Sequence, residues 1–555
     1  MTSDVEAVFR EGIARTQAGE FAEAERLFRH AVLRDPRHAH ARLNLGTLLI
    51  YRRAYDEAVV EFRNLIAAYP RMAAAHYNLG YALDEWGRLD AALEAFTAAV
   101  SLDPNLLVAH SNRAGVLQRL GRVDEAVALT RQLLAVAPLD RQARENLCYT
   151  VHFQSGATGE EILREHRIYD DLHARPLRWP LPQNVDRAPE RRLRLGYLSP
   201  HLWAHVVGRN LLPVLEHHDR KRFEIFCYSN NTGADDQITA RMRQLANRWL
   251  DVQSLDDEQL ARQIRADEVD ILVDLALFMG GHRISALARK PAPIQITHMG
   301  YPATTGLSCI DYRISDPHLD PPGGTEAFNS ERIIRLPHSF WIFRPFEPAP
   351  DVGELPALRT NQITFGSLNN PVKFSGAALG AWSEILQHVP NSRLMLLVNG
   401  DESSGSYLAS VLTSRGVSRD RLEFVTKKPA REYFETYNGI DIGLDPFPYN
   451  GHSTSLDASW MGVPVVTIEG KTSVARAGVC LCRKLGLPEL IATSIDEYIN
   501  IARDLASDLP RLSALRMSLR ARMRESPLCD AAGYTRALET SYRDIWTHFC
   551  NDGRA

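Results

Sequence analysis

Residues 440–468 read IDIGLDPFPYNGHSTSLDASWMGVPVVTI. An apolar, strand-like run over 440–444 breaks at Asp445-Pro446, and a loop of Pro, Asn and Gly follows. Polar residues from His452 introduce a helix expected over 455–461, which Gly462 and Pro464 end before a second apolar run, 465–468. Strand, loop, helix and strand in this order are the unit of a parallel sheet, whose ligands sit beyond the carboxyl ends of its strands. A helix N-terminus carries unpartnered N–H groups and the positive end of the helix dipole, so this loop suits a phosphate. Thr454-x-x-Asp457 also reads as a capping box, and the local sequence leaves both readings open.

The same rhythm extends in both directions. Upstream lie LRLGYLS (193–199), FEIFCYS (223–229), DILVDLAL (270–277), IQITHMGYP (294–302) and DYRISD (311–316), separated by helical stretches such as 235–248 and 257–266. A Pro-rich break at 345–356 precedes ITFGSL, RLMLLV and LEFVT. Two consecutive Rossmann-like lobes are expected, over 191–345 and 357–528, with a cleft between them. A segment over 529–555 closes the chain, with an amphipathic helix at 531–549. Gly470-Lys471-Thr472-Ser473 imitates the end of a P-loop, but Val465 stands where the first glycine is required. No strand runs into G-x-G-x-x-G and no H-E-x-x-H occurs, so a dinucleotide site is not expected and the chemistry is read as metal-free.

The first third is periodic. Pro36, Pro70, Pro104 and Pro138 stand 34 residues apart. Gly12, Gly46 and Gly80 keep the phase, with Ala114 at the fourth place and Gly115 beside it. Ala24, Ala58, Ala92 and Ala126 form a second column, and Phe28, Phe62 and Phe96 a third. Small residues let paired helices approach, an aromatic fills the space between them, and proline ends the second helix. These columns match tetratricopeptide repeats over 5–38, 39–72, 73–106 and 107–140, and ARENLCYTVHF (143–153) begins another unit; the module is taken as 5–153. Asn44, Asn78, Asn112 and Asn146 share the same period, so their amides form a candidate ladder for an extended peptide backbone. Packing or solvation of these asparagines is the alternative. Residues 154–190 read as a charged helix and a Pro-rich connector.

With 64 basic and 68 acidic residues the net charge is −4, which gives no reason to expect nucleic acid or a membrane surface as partner. Seven dispersed cysteines suit a reducing compartment, and Cys480-x-Cys482 reads as a pair of core thiols. Neither a leader nor a long uncharged apolar run is present, so a cytoplasmic location is expected.

Together, the repeats and the motifs LRLGYLSPHLWAH, RKPAPIQITHMGYPATTG, DYRISD, FGSLNNPVKFS and DPFPYNGHSTSLDASWMGVPVVT resemble the O-linked N-acetylglucosamine transferase family across essentially the whole chain. The resemblance implies an α plus α/β architecture, a tetratricopeptide superhelix followed by a GT-B fold of two Rossmann-like lobes. It implies metal-independent, inverting transfer of N-acetylglucosamine from UDP-GlcNAc to Ser or Thr hydroxyls of protein or peptide acceptors, with no cofactor beyond the donor. Residue by residue, Lys373 matches the family lysine on the diphosphate, and Asn370 stands where the family has a donor-facing glutamine. His452, Ser453 and Thr454 match the phosphate-holding His-Thr-Thr, with Ser at the middle position, and Asp457 matches the acid on the uridine ribose. Main chain at Lys428 to Ala430 falls where the uracil is read, and Tyr433 replaces a histidine that stacks on it. His205 matches the histidine assigned as base or as acceptor-positioning group, although Val206 follows it where the family has proline. His282, Pro302, Thr304 and Thr305 are expected to line the cleft from the first lobe, DLALFMGGHR departing from the shorter family pattern. Two other readings are carried. One is the same fold with another donor such as GDP-fucose; the fucosyl branch shares DYRISD and DPFPY but lacks the counterparts of His452 and Asp457, which favours UDP. The other is a peptide-binding scaffold with an inactive transferase domain.

Overall fold

The computed structural model describes residues 2–182 and 185–552. Its first third is a stack of helical hairpins: Thr2–Gln17 with Phe21–Arg34, Ala39–Tyr51 with Tyr55–Ala68, Ala73–Glu85 with Leu89–Leu102, and Leu107–Arg119 with Val123–Val136, followed by Arg141–Thr150. Each second helix stops two residues short of the proline column. The three column phenylalanines are fully buried, and each ring presses on the facing helix. A Cβ at Gly12, Gly46 or Gly80 would lie 2.6, 2.4 or 2.7 Å from Phe28, Phe62 or Phe96 respectively. Only glycine admits that approach. The fourth hairpin carries Thr130 at the phenylalanine position, which is why Ala114 fits opposite it.

The first lobe is a parallel sheet of β1 (Leu193–Ser199), β2 (Phe223–Ser229), β3 (Arg248–Asp251), β4 (Ile271–Asp274), β5 (Ile294–Thr297), β6 (Tyr312–Ser315) and β7 (Arg332–Arg335) in the order 3-2-1-4-5-6-7. The second holds β8 (Ile363–Ser367), β9 (Ser392–Leu397), β10 (Leu422–Val425), β11 (Ile442–Leu444), β12 (Val465–Ile468) and β13 (Ile491–Ala492), also parallel, in the order 10-9-8-11-12-13. The strand order reverses between β1 and β4 and again between β8 and β11, and ligands of such sheets bind where it reverses. Of the expected strands, 270–277 is shorter than its apolar run, because the chain leaves the sheet after Asp274. The helix expected over 235–248 ends at Leu245, and Arg248 already belongs to β3. Cys480 and Cys482 are buried and free.

The chain then returns. Helix Ala531–Asp552 crosses from the second lobe to the first, where Tyr534, Leu538, Tyr542 and Trp546 join the core beneath β1. Glu539 accepts from His218 Nδ1 at 2.8 Å and from the Asp219 N–H at 2.7 Å. One apolar cluster also joins all three bodies: Leu147 and Phe153 from the repeats, Leu277 and Tyr301 from the first lobe, Val372 and Tyr449 from the second. No helix among the described residues is long and apolar enough to cross a membrane.

Candidate active site

The loop between β11 and its following helix is built around Asp445, which is fully buried at the end of the strand. One carboxylate oxygen accepts from the Gly451 N–H at 2.6 Å and from Ser455 Oγ at 3.3 Å; the other accepts from Thr467 Oγ1 at 2.6 Å. The turn is so tight that a Cβ at Gly451 would meet Ser455 Oγ at 2.1 Å. The helix spans Ser453–Trp460 with His452 as its N-cap, so it begins two residues earlier than the sequence suggested. The capping box is not formed: Thr454 Oγ1 donates instead to Asn369 Oδ1 at 2.6 Å, and Asp457 points elsewhere.

Lys373 enters this loop from the β8 side. Its ammonium donates to the Asn450 carbonyl at 2.7 Å and lies 4.5 Å from the centre of the Tyr449 ring. Burial lowers its pKa, and the nearby Asp445 opposes that shift. His452 stacks on the same Tyr449 ring at 4.9 Å and meets Trp341 edge-on at 5.3 Å. Burial, and then Lys373, push its pKa well below the usual histidine value, so the ring is neutral. Its Nε2 is buried and without a hydrogen-bond partner among the described residues. Phe153, at the end of the repeats, stacks on Tyr449 at 4.4 Å.

Asp457 is buried one turn further along the helix. Its Oδ2 accepts from Tyr433 Oη at 3.3 Å, and Arg209 of the first lobe lies 3.5 Å from Oδ1. Burial raises its pKa to about 6, against Arg209 and Tyr433. Lys428, Pro429 and Ala430 are exposed at the head of the short helix Ala430–Thr436, which presents Tyr433 to Asp457. The side chain of Asn370 is otherwise engaged: its Oδ1 accepts from the Val372 N–H at 3.2 Å and from Asn399 Nδ2 at 3.1 Å. Asn399 donates in turn to the Arg119 carbonyl of the repeats, so Asn370 ties the loop to the superhelix.

Across the cleft, His205 caps the helix Val206–His217, its Nδ1 accepting from the Val207 N–H at 3.2 Å while its ring stacks on His201 at 4.1 Å. Burial, with His201 and Arg209 nearby, lowers its pKa to about 3. His282 Nε2 faces Glu145 of the last repeat helix at 3.5 Å. Thr304 and Thr305 are buried with their hydroxyls on Glu331, and Pro302 and Thr304 also line a small cavity that Thr472, Ser473 and Val474 of the second lobe help to close. The ladder asparagines are half-buried, and the amides of Asn44 and Asn78 donate to His40 and Ala74 one turn back in their own helices. Asn112 reaches Tyr77 Oη at 3.4 Å, and Asn146 accepts from Gln142 at 3.1 Å. Asp445, Arg209, Asn369 and Tyr449 were not singled out from sequence. Asp445 and Tyr449 lie inside the opening stretch, where Asp445 counted as a strand break.

These features belong to a recognised group of proteins. Residues 165–345 and 354–538 match the family model Glycosyl transferase family 41, and 9–62, 45–106 and 85–147 match tetratricopeptide-repeat models. The probable UDP-N-acetylglucosamine–peptide N-acetylglucosaminyltransferase SPINDLY of Petunia hybrida is 35% identical over 424 residues, 75% of this chain and 45% of that protein. The protein of Arabidopsis thaliana with the same enzyme description, SEC, is 31% identical over 373 residues, 65% of this chain and 38% of that protein. The chain thus spans less than half the length of these relatives. A solved mutant of the Thermobaculum terrenum O-GlcNAc transferase superposes with a TM-score of 0.76 at 33% identity, covering 100% of this chain and 99% of that one. Repeats, paired parallel lobes and the match over both lobes make this chain a member of glycosyl transferase family 41.

Proposed function

We propose that the protein is an inverting, metal-independent glycosyltransferase that moves N-acetylglucosamine from UDP-GlcNAc to Ser or Thr hydroxyls of protein acceptors. One observation carries the reading. At the N-terminus of helix Ser453–Trp460, His452 Nε2 is buried without a partner among the described residues, on the same tyrosine ring as the Lys373 ammonium. A neutral imidazole and a lysine at a helix start form a cradle for a diphosphate. Lys373 then meets the charge that develops as the UDP leaves, with Ser453 and Thr454 at the first turn. Asp457 takes the ribose, and main chain at 428–430 the uracil, with Tyr433 beside it. The enzyme description shared by both plant relatives supports the UDP donor and the peptide acceptor.

On the acceptor side, the His205 tautomer matters. Because Nδ1 accepts a backbone N–H, the neutral ring carries its proton on Nε2. That nitrogen donates a hydrogen bond, and a pKa near 3 makes the ring a weak base. His205 therefore suits positioning the acceptor hydroxyl better than removing its proton. In this reading residues 5–153 hold the acceptor, 154–190 join it to the lobes, 191–345 and 357–528 form the cleft, and helix Ala531–Asp552, the described part of the closing segment, braces the first lobe.

Calorimetry with UDP and GDP tests the donor: UDP is expected to bind at least about tenfold tighter, a difference of about 1.4 kcal/mol. Tighter GDP would replace the donor with one of the GDP-fucose kind. If incubation with UDP-GlcNAc and a cell lysate adds mass to no protein, the lobes act as a scaffold. Replacing Asn78 and Asn112 together by Ala is expected to raise the KM for a peptide acceptor by about tenfold with kcat little changed, since each amide offers only about 0.5–1.5 kcal/mol net. An unchanged KM would assign the ladder to helix packing.

A further inference from the structure

The Arg209–Asp457 pair crosses between lobes that the sequence treats as separate. Arg209 lies one turn into helix Val206–His217, and its N–H donates to the His205 carbonyl at 2.9 Å. Its guanidinium stands 3.5 Å from Asp457 Oδ1, with side chains only 16% and 6% exposed. That separation is too long for a good hydrogen bond but close enough for strong attraction in a buried setting. Asp457 Oδ1 takes no hydrogen bond among the described residues, although it is buried. The other groups facing the carboxylate are neutral hydroxyls: Tyr433 donates to Oδ2, and Tyr437 bonds Tyr433 at 2.7 Å while donating to the Thr454 carbonyl at 3.1 Å.

We propose that Arg209 is a positioning residue of the donor nucleoside site, reaching from the first lobe to the ribose acid of the second. It closes the cleft over the nucleoside and keeps Asp457 an acceptor, with Oδ1 still unbonded among the described residues and able to accept from a ribose hydroxyl. The proposal rests on the ribose role given to Asp457 above. It links the two ends of the reaction: one helix carries His205 at its N-terminus and Arg209 a turn later, so seating the ribose acid also sets where His205 stands.

The pH dependence has a definite sign. Burial holds the Asp457 pKa up near 6, and Arg209 opposes that rise. A ribose diol needs the ionised acid, so UDP affinity falls as pH drops through that value. Without the guanidinium the acid is harder to ionise and the fall occurs at higher pH. Arg209→Met keeps the apolar stem. It is expected to weaken UDP binding about tenfold at pH 8 and to move the acid limb up by about one pH unit, a further factor of about five at pH 6. The KM for the donor should rise more than kcat falls, and Arg209→Lys should return most of the limb. An acid limb identical to wild type in Arg209→Met would overturn the proposal. So would strict additivity of Arg209→Met and Asp457→Asn in melting temperature without nucleotide, because a coupled pair does not add. If the wild-type protein binds no UDP, the donor reading fails, while the nucleotide-free cycle still decides whether the pair couples the lobes.

Discussion

Lys373→Met is expected to lower kcat/KM by at least about a thousandfold while the protein stays folded. Removing one preorganised group that meets developing charge lowers rates by about 10²–10³, and a full ammonium aimed at a diphosphate should exceed the neutral donors behind that figure. The ammonium is held on the Asn450 carbonyl and over Tyr449, so little reorganisation accompanies bond breaking. Met preserves the stem against the ring and removes only the charge. A buried cation whose pKa is lowered is a burden on the fold at neutral pH, so its loss should not unfold the protein. Transfer from labelled UDP-GlcNAc measures the rate and a thermal melt checks folding. Wild-type turnover in a folded variant would remove Lys373 from the chemistry.

Asp445→Ala should have the largest effect on the structure. The carboxylate gathers the Gly451 N–H and the hydroxyls of Ser455 and Thr467, and it faces Lys373 from a fully buried position. Removing it leaves three buried donors without their acceptor and takes away the nearby countercharge of Lys373, whose ammonium keeps the Asn450 carbonyl. A buried donor left unsatisfied costs about 1–3 kcal/mol, and three of them, partly relaxed, about 3–5 kcal/mol in all. At about 2–4 °C per kcal/mol for a domain of this size, the melting temperature should fall by about 6–20 °C. UDP binding should vanish with it, since Gly451 leads into His452. A variant that melts like wild type and still binds UDP would show that the cradle does not hang from Asp445.

How much of this the sequence displayed depends on range. The repeat columns record contacts inside single hairpins, such as Gly46 against Phe62, so their period could be read directly. β1 and β2 are central and buried, and their apolar runs gave their limits. β3 and β7 are short strands whose side chains are mostly half-exposed or exposed, so no apolar run marked them. The start of helix Ser453–Trp460 was displaced because Ser and Thr signal a cap, whereas His452 occupies that place without a side-chain bond. Lys373 and His452 stood in motifs. Arg209 did not: its partner lies in another lobe, and only folding brings the two together.

The Gly–Phe contact also carries a rule about ancestry. In each hairpin the two partners fall within the same 34-residue unit, and in the fourth Ala114 and Thr130 stand at the two places. A duplication or exchange of whole units therefore transmits a matched lock and key. Exchange of one column position alone does not: phenylalanine at 130 opposite Ala114 would meet a methyl where its siblings meet bare backbone. The array can lengthen, shorten or shuffle by complete units without renegotiating its core, whereas drift within a unit must proceed in compensated pairs.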